Sequence, residues 1–193
     1  MMRLSAKEIE KFKAVKPTFV RAQEITQVPW QAIAAVWYRE SFSITPPKTP
    51  GGSFQFDPVP PNEFLRSLLD RFTTLSDAQK KVIVAAGVYR FEAAAILAAC
   101  FLRHKTGPKI TVDASDEFVR DAFWGYNGRS YGSAENSPYV MNFYDANYCG
   151  PSGQGMIVRG TIPDGKGGRI HIHGPSKQLG AFTVYKQLKK LEI

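Results

Sequence analysis

Cysteine is scarce in this chain: its 193 residues hold two, Cys100 and Cys149, and no C-x-x-C pair. That excludes a disulfide-stapled scaffold and the usual zinc or thiol-redox motifs. Histidine is as sparse, with His104, His171 and His173 the only three. His171 and His173 stand two apart on an expected strand and face one way, but nothing in the sequence brings His104 to them. No metal site and no cofactor are therefore expected. Cys149, set in Asn147-Tyr148-Cys149-Gly150, matches no cysteine-hydrolase pattern. A phosphate-binding glycine loop is also missing. The N-terminus lacks the apolar stretch of a secretory signal. The longest apolar run, Val82 to Leu102, is interrupted by Arg90 and Glu92, so it reads as a buried helical pair with no membrane span.

What is present suits a globular domain. Apolar residues make up 44% and charged residues 22%, which at this length supports a sizeable core and excludes wholesale disorder. The formal net charge of +8 sits at the two ends. Residues 1–27 carry six Lys/Arg against three Asp/Glu, residues 151–193 carry seven against two, and the stretch between is neutral. Basic ends attract polyanions such as nucleic acid, anionic lipid or the anionic polymers of a bacterial envelope. A solvated lysine-rich surface is the plainer reading. No nucleic-acid recognition motif of the usual classes is present, so a nucleic-acid partner is not expected.

Helix signals dominate the first 150 residues. A polar helical start is followed by Val28-Pro29-Trp30, with Pro29 suited to a first helical position, and a helix to about Glu40 with Ile33, Val36 and Trp37 on one stripe. Ser41 to Pro61 is rich in Pro, Gly and Thr and reads as loop. Asn62 caps a helix through Phe72, and Ser76 with Gln79 forms a capping box for the next helix, with a break near Gly87. Ser115 caps a helix ending at Gly128. Beyond Gly150, Met156 to Ile162 and Arg169 to His173 read as two strands joined by residues 163–168, and a short basic helix, Ala181 to Leu191, follows. The expected fold class is mainly α, a helical domain over residues 1–150 with a small β-hairpin and basic helix appended over 151–193.

Glu40 stands out. It lies three residues after Trp37, four after Val36 and seven after Ile33, so a 3.6-residue helix places it on their apolar face. It also falls in the last turn, where the helix dipole disfavours negative charge. Desolvation and the helix end both raise a carboxyl pKa, as a general acid working near neutrality requires. Periodicity alone leaves open a glutamate that reaches past the helix end to water or to an arginine.

Three segments in order, Glu40-Ser41 at a helix end, Gly52-Ser53-Phe54-Gln55 after a Pro-rich loop, and Gly125-Tyr126-Asn127-Gly128 at a later helix end, resemble the lysozyme-like superfamily in its lytic-transglycosylase and goose-type-lysozyme branch. Pro138-Tyr139-Val140 is similar to that family's Tyr-Val after the third motif. Ser53 and Phe54 replace the family's Leu and Met, and Gly125 replaces Ala. The resemblance covers roughly Trp30 to Tyr148 and leaves out the last forty residues.

The resemblance implies a lysozyme-like α+β fold and cleavage of the β-1,4 bond between N-acetylmuramic acid and N-acetylglucosamine in peptidoglycan. Glu40 is then the general acid. The Tyr126 hydroxyl approaches its carboxyl, although Tyr126, four after Ala122 and eight after Phe118, also reads simply as a core tyrosine. Gln55 offers an amide to an N-acetyl group or to Glu40, and Ser41 and Asn127 either contact substrate or cap helix ends. Asp57, in Phe56-Asp57-Pro58, is the carboxylate near the second motif and is explained equally by an Asx turn. A two-carboxylate hydrolase needs such a second acid, whereas a lytic transglycosylase manages with one glutamate. The expected partners are glycan strands and anionic envelope polymers, the latter through the basic termini. A wall-degrading domain without a secretory signal implies synthesis in the cytoplasm and delivery as a phage lysin or virion-associated enzyme.

Overall fold

The computed structural model describes residues 3–41, 62–86, 90–106, 110–126, 134, 137, 139–140, 161–163, 169–171 and 179–191. Seven helices are described: α1 (Ala6–Thr26), α2 (Trp30–Ser41), α3 (Asn62–Phe72), α4 (Asp77–Ala86), α5 (Phe91–Thr106), α6 (Asp116–Tyr126) and α7 (Ala181–Lys190). The chain is mainly helical, as its periodicity predicts. Two three-residue strands, β1 (Thr161–Pro163) and β2 (Arg169–His171), pair antiparallel with Thr161 opposite His171. The other residues of the two expected strands lie outside the described residues.

α1 starts on a capping box. The Ser5 hydroxyl accepts the Glu8 N–H at 3.3 Å, and the Glu8 carboxylate accepts the Ser5 N–H at 2.7 Å. Ser5→Ala is expected to cost about 1 kcal/mol, read as a fall of about 2–4 °C in Tm. The helix buries Phe12, Val15, Phe19, Ala22 and Thr26, a stripe at alternating spacings of three and four. It ends at Gln27, whose φ of 63° places a non-glycine residue in the left-handed region. Gln23 stitches this corner: its carbonyl accepts the Gln27 N–H at 2.7 Å and its side-chain oxygen accepts the Trp30 N–H at 2.8 Å. Gln23 thus satisfies one of the open donors at the start of α2. Pro29 stands one residue ahead of α2, and its carbonyl accepts from Ala32 and Ile33.

α2 is the central helix. The one-sided stripe of Ile33, Val36 and Trp37 is too narrow a description, because every residue from Ala32 to Tyr38 is buried. The physical reason is enclosure: α1, α5 and α7 all pack on α2. Trp37 is fully buried, with Phe12, Phe19 and Phe91 ring centroids 5.9, 5.6 and 5.7 Å away. Such aromatic clusters add to the energy of area burial alone.

The reading of Val82 to Leu102 as a buried pair holds for only one of its two helices. α5 buries Ala93 through Cys100 and Leu102, but no residue of α4 is buried, and Val82 is 62% exposed. α4 begins on the expected box, with the Ser76 N–H donating to Gln79 Oε1 at 2.9 Å and the Gln79 N–H to Ser76 Oγ at 3.4 Å. Ion pairs then join it to α3: Arg66 to Asp77 at 2.7 Å and Lys80 to Asp70 at 2.8 Å. No single helix among the described residues is long and apolar enough to cross a membrane. α4 and α5 together have the length and composition of a bent span, but the apolar side chains of α5 are already buried against other helices.

α7, the basic helix expected to be appended to the same domain, packs into its core. Ala181, Val184, Tyr185 and Leu188 form its buried stripe, packed on α2 and α6. Lys189 pairs with Asp116 of α6 at 2.8 Å.

Candidate active site

Glu40 lies in the last turn of α2, half-buried just beyond the enclosed stretch of residues 32–38. Burial pushes the group from its ordinary 4.5 up to about 7, and the neighbouring Arg39 guanidinium opposes the shift without cancelling it.

Tyr126 is the last residue of α6, and its side chain is buried. Burial raises its hydroxyl well above the ordinary tyrosine range, and the negative charge of Glu40 adds to the rise. The phenol and the carboxyl therefore lie within electrostatic reach of each other, from the ends of two different helices. The Tyr126 ring is held by two others: Phe101 of α5 meets it edge-on at 5.4 Å, and Tyr139 lies at 5.5 Å with 43° between planes.

Tyr139 is positioned by a local turn. Ser137 is fully buried; its hydroxyl accepts the Tyr139 N–H at 3.3 Å and its carbonyl accepts the Val140 N–H at 2.9 Å. The Tyr139 carbonyl in turn accepts the Phe182 N–H at 2.9 Å, which ties this turn to α7. A second tie to the segment before α7 comes from Tyr38, whose phenolic oxygen accepts the Leu179 N–H at 3.4 Å. Burial is the main reason the Tyr38 hydroxyl is also held above its usual range.

Of the residues singled out in the sequence, Glu40 and Tyr126 come together. Ser41 closes α2, with only its backbone described. Gln55, Asp57 and Asn127 lie outside the described residues, as do His173 and Cys149. Phe101 and Ser137 were not singled out. Phe101 is hidden in a long apolar run, whereas the Ser137-Pro138 pair is a turn signal that could have been read. Among the described residues no three His, Cys, Asp or Glu side chains gather as metal ligands would. His104 packs edge-on against Phe64 at 5.5 Å. Cys100 is buried, and desolvation pushes its thiol up to about 12, far from a nucleophile's range.

Tyr126→Phe keeps the ring between Phe101 and Tyr139 and removes only the hydroxyl. Tm is expected to stay nearly unchanged, and if Glu40 works as a general acid the loss of the phenol beside it is expected to cost about tenfold in rate. Early melting at unchanged specific activity would make Tyr126 a core residue and nothing more.

Comparison with protein-family models, with curated proteins and with solved structures gives no match.

Proposed function

We propose that the chain is a lysozyme-like peptidoglycan-degrading enzyme, with a lytic transglycosylase as the form that best suits a single catalytic glutamate. The observation that carries this reading is the Glu40 carboxyl at a helix end, pushed by burial to a pKa of about 7 and within electrostatic reach of the Tyr126 phenol. A surface glutamate has no such environment, and a general acid needs one. The order of Glu40-Ser41, Gly52 to Gln55 and Tyr126-Asn127-Gly128 along the chain supports the same assignment.

The chemistry balances on one residue. Protonated Glu40 donates to the glycosidic oxygen as the bond from the muramic-acid C1 breaks, and the N-acetylglucosamine leaves as an alcohol. The substrate's own N-acetyl oxygen stabilises the oxocarbenium centre. The Glu40 carboxylate then takes the proton from the muramic-acid 6-hydroxyl while that oxygen bonds to C1. The product is a 1,6-anhydro sugar, no water is consumed, and Glu40 is protonated again. Tyr126 holds the carboxyl through both steps. The proposed setting is the bacterial wall, reached as a phage-type lysin or virion-associated enzyme, with anionic envelope polymers drawn to the basic termini.

Mass spectrometry of purified wall digested by the protein tests the reading. Anhydro-muramyl ends are expected. Reducing ends would make the chain a muramidase with a second carboxylate, for which Asp57 is the candidate. An undigested wall would make it a non-catalytic protein and overturn the proposal.

A further inference from the structure

A groove of about 620 Å³ runs between the start of α1 and the outer face of α7, a size typical of small-molecule sites. Its origin is visible in the spacing of α7. One stripe of that helix, Val184, Tyr185 and Leu188, is buried in the core, and the stripe Thr183, Lys186, Gln187, Lys190 and Leu191 lines the groove. The Gln187 side-chain oxygen accepts the Leu4 N–H at 2.7 Å, fixing the opposite wall.

The lining has two chemistries. Leu4, Ile9, Phe182 and Leu191 make it apolar, and Leu191 is 38% exposed although it is a large aliphatic residue. Arg3, Lys186 and Lys190 supply three cations, and no carboxylate is among the described lining residues. The Lys186 ammonium stands 5.6 Å from the centre of the Phe182 ring, so cation and hydrocarbon meet within the groove. Lys189 pairs with Asp116 of α6, and the Lys186 charge also reaches that carboxylate, but neither Asp116 nor Lys189 lines the groove.

We infer that this groove seats an anionic phospholipid, with its phosphate among Arg3, Lys186 and Lys190 and an acyl chain along Phe182, Ile9 and Leu191. A purely hydrophilic polyanion would satisfy the cations and leave the apolar floor unused. A second copy packed symmetrically through this face would set the three cations against their own equivalents. An amphiphile with one anionic head satisfies both chemistries at once. The inference stands apart from the reading of Glu40, and its test does not use wall cleavage.

Flotation with phosphatidylcholine vesicles, with and without phosphatidylglycerol, is the experiment. The parent is expected to float only with phosphatidylglycerol present. Lys186→Gln with Lys190→Gln is expected to weaken binding about thirtyfold, from roughly 1 kcal/mol per cation near an anionic surface. Leu191→Ser, which changes no charge, is expected to weaken it about tenfold, and Leu191→Met to restore it. All three replaced side chains are exposed, and melting curves will show the variants folded. Equal binding to both vesicle types, or parent-like binding by Leu191→Ser, would overturn the inference. A dimer held through this face and unaffected by vesicles would overturn it as well.

Discussion

Glu40→Gln is expected to lower wall cleavage about a hundredfold to ten-thousandfold and, at the same time, to raise the melting temperature above pH 7. The first effect is the loss of a general acid, since the amide fills the same space without a transferable proton. The second follows from linkage. In the native protein the carboxyl holds its proton up to about pH 7, whereas in the unfolded chain it releases it near the ordinary 4.5. Between those values the native state binds more protons, so stability falls as pH rises through the window and the loss is complete above about 7. Its size is on the order of 3 kcal/mol. Glutamine does not titrate and escapes the loss. Parent and variant should therefore melt at similar temperatures near pH 4 and diverge by pH 8, with the glutamine variant the more stable. The parent's cleavage rate should fall as pH rises through about 7, as the acid form is depleted. A variant with near-parent turnover would remove Glu40 from the mechanism, and identical melting at pH 8 would remove the desolvation.

A chain ended after residue 178 is expected to lose cooperative folding altogether. Its last helix carries Val184, Tyr185 and Leu188 into the core beside α2. Burial of each such side chain stabilises by about 1.5–3 kcal/mol, and their sum is comparable with the whole stability of a domain, roughly 5–15 kcal/mol. Tyr38 of α2 and the Tyr139 turn that packs on Tyr126 would also lose their ties to Leu179 and Phe182. Circular dichroism during a thermal scan checks this. A sharp transition near the parent's Tm would show that α7 is dispensable.

The positions of most helices were legible because local chemistry marks them. Ser76 with Gln79, Ser115 ahead of α6 and the apolar spacing of Ala181 to Leu188 all act over three or four residues. The unusual setting of Glu40 was legible too, though for a reason only half right. Periodicity put it on an apolar stripe, whereas the residues before it, 32–38, are buried on every side by α1, α5 and α7, and no local pattern reports that enclosure. α4 shows the converse error. Its alanines and valines read as core, yet burial depends on what lies opposite, and it rests against the fold mainly on one side. The Tyr139 contact with Tyr126 joins residues far enough apart that only the fold brings them together.

The way α4 is attached has a kinetic consequence. Its apolar side chains hide little surface, and the pairs that fasten it to α3, Arg66 with Asp77 and Lys80 with Asp70, each have a carboxylate open to solvent. Opening this helix alone therefore exposes little and costs far less than global unfolding, so its amides should exchange with deuterium well before those of α5. Added salt screens the fastening charges, as the Debye length shrinks from about 8 Å at physiological ionic strength to about 3 Å at 1 M. Exchange in Asp77–Ala86 should accordingly quicken with ionic strength while exchange in Phe91–Thr106 stays tied to the stability of the whole molecule.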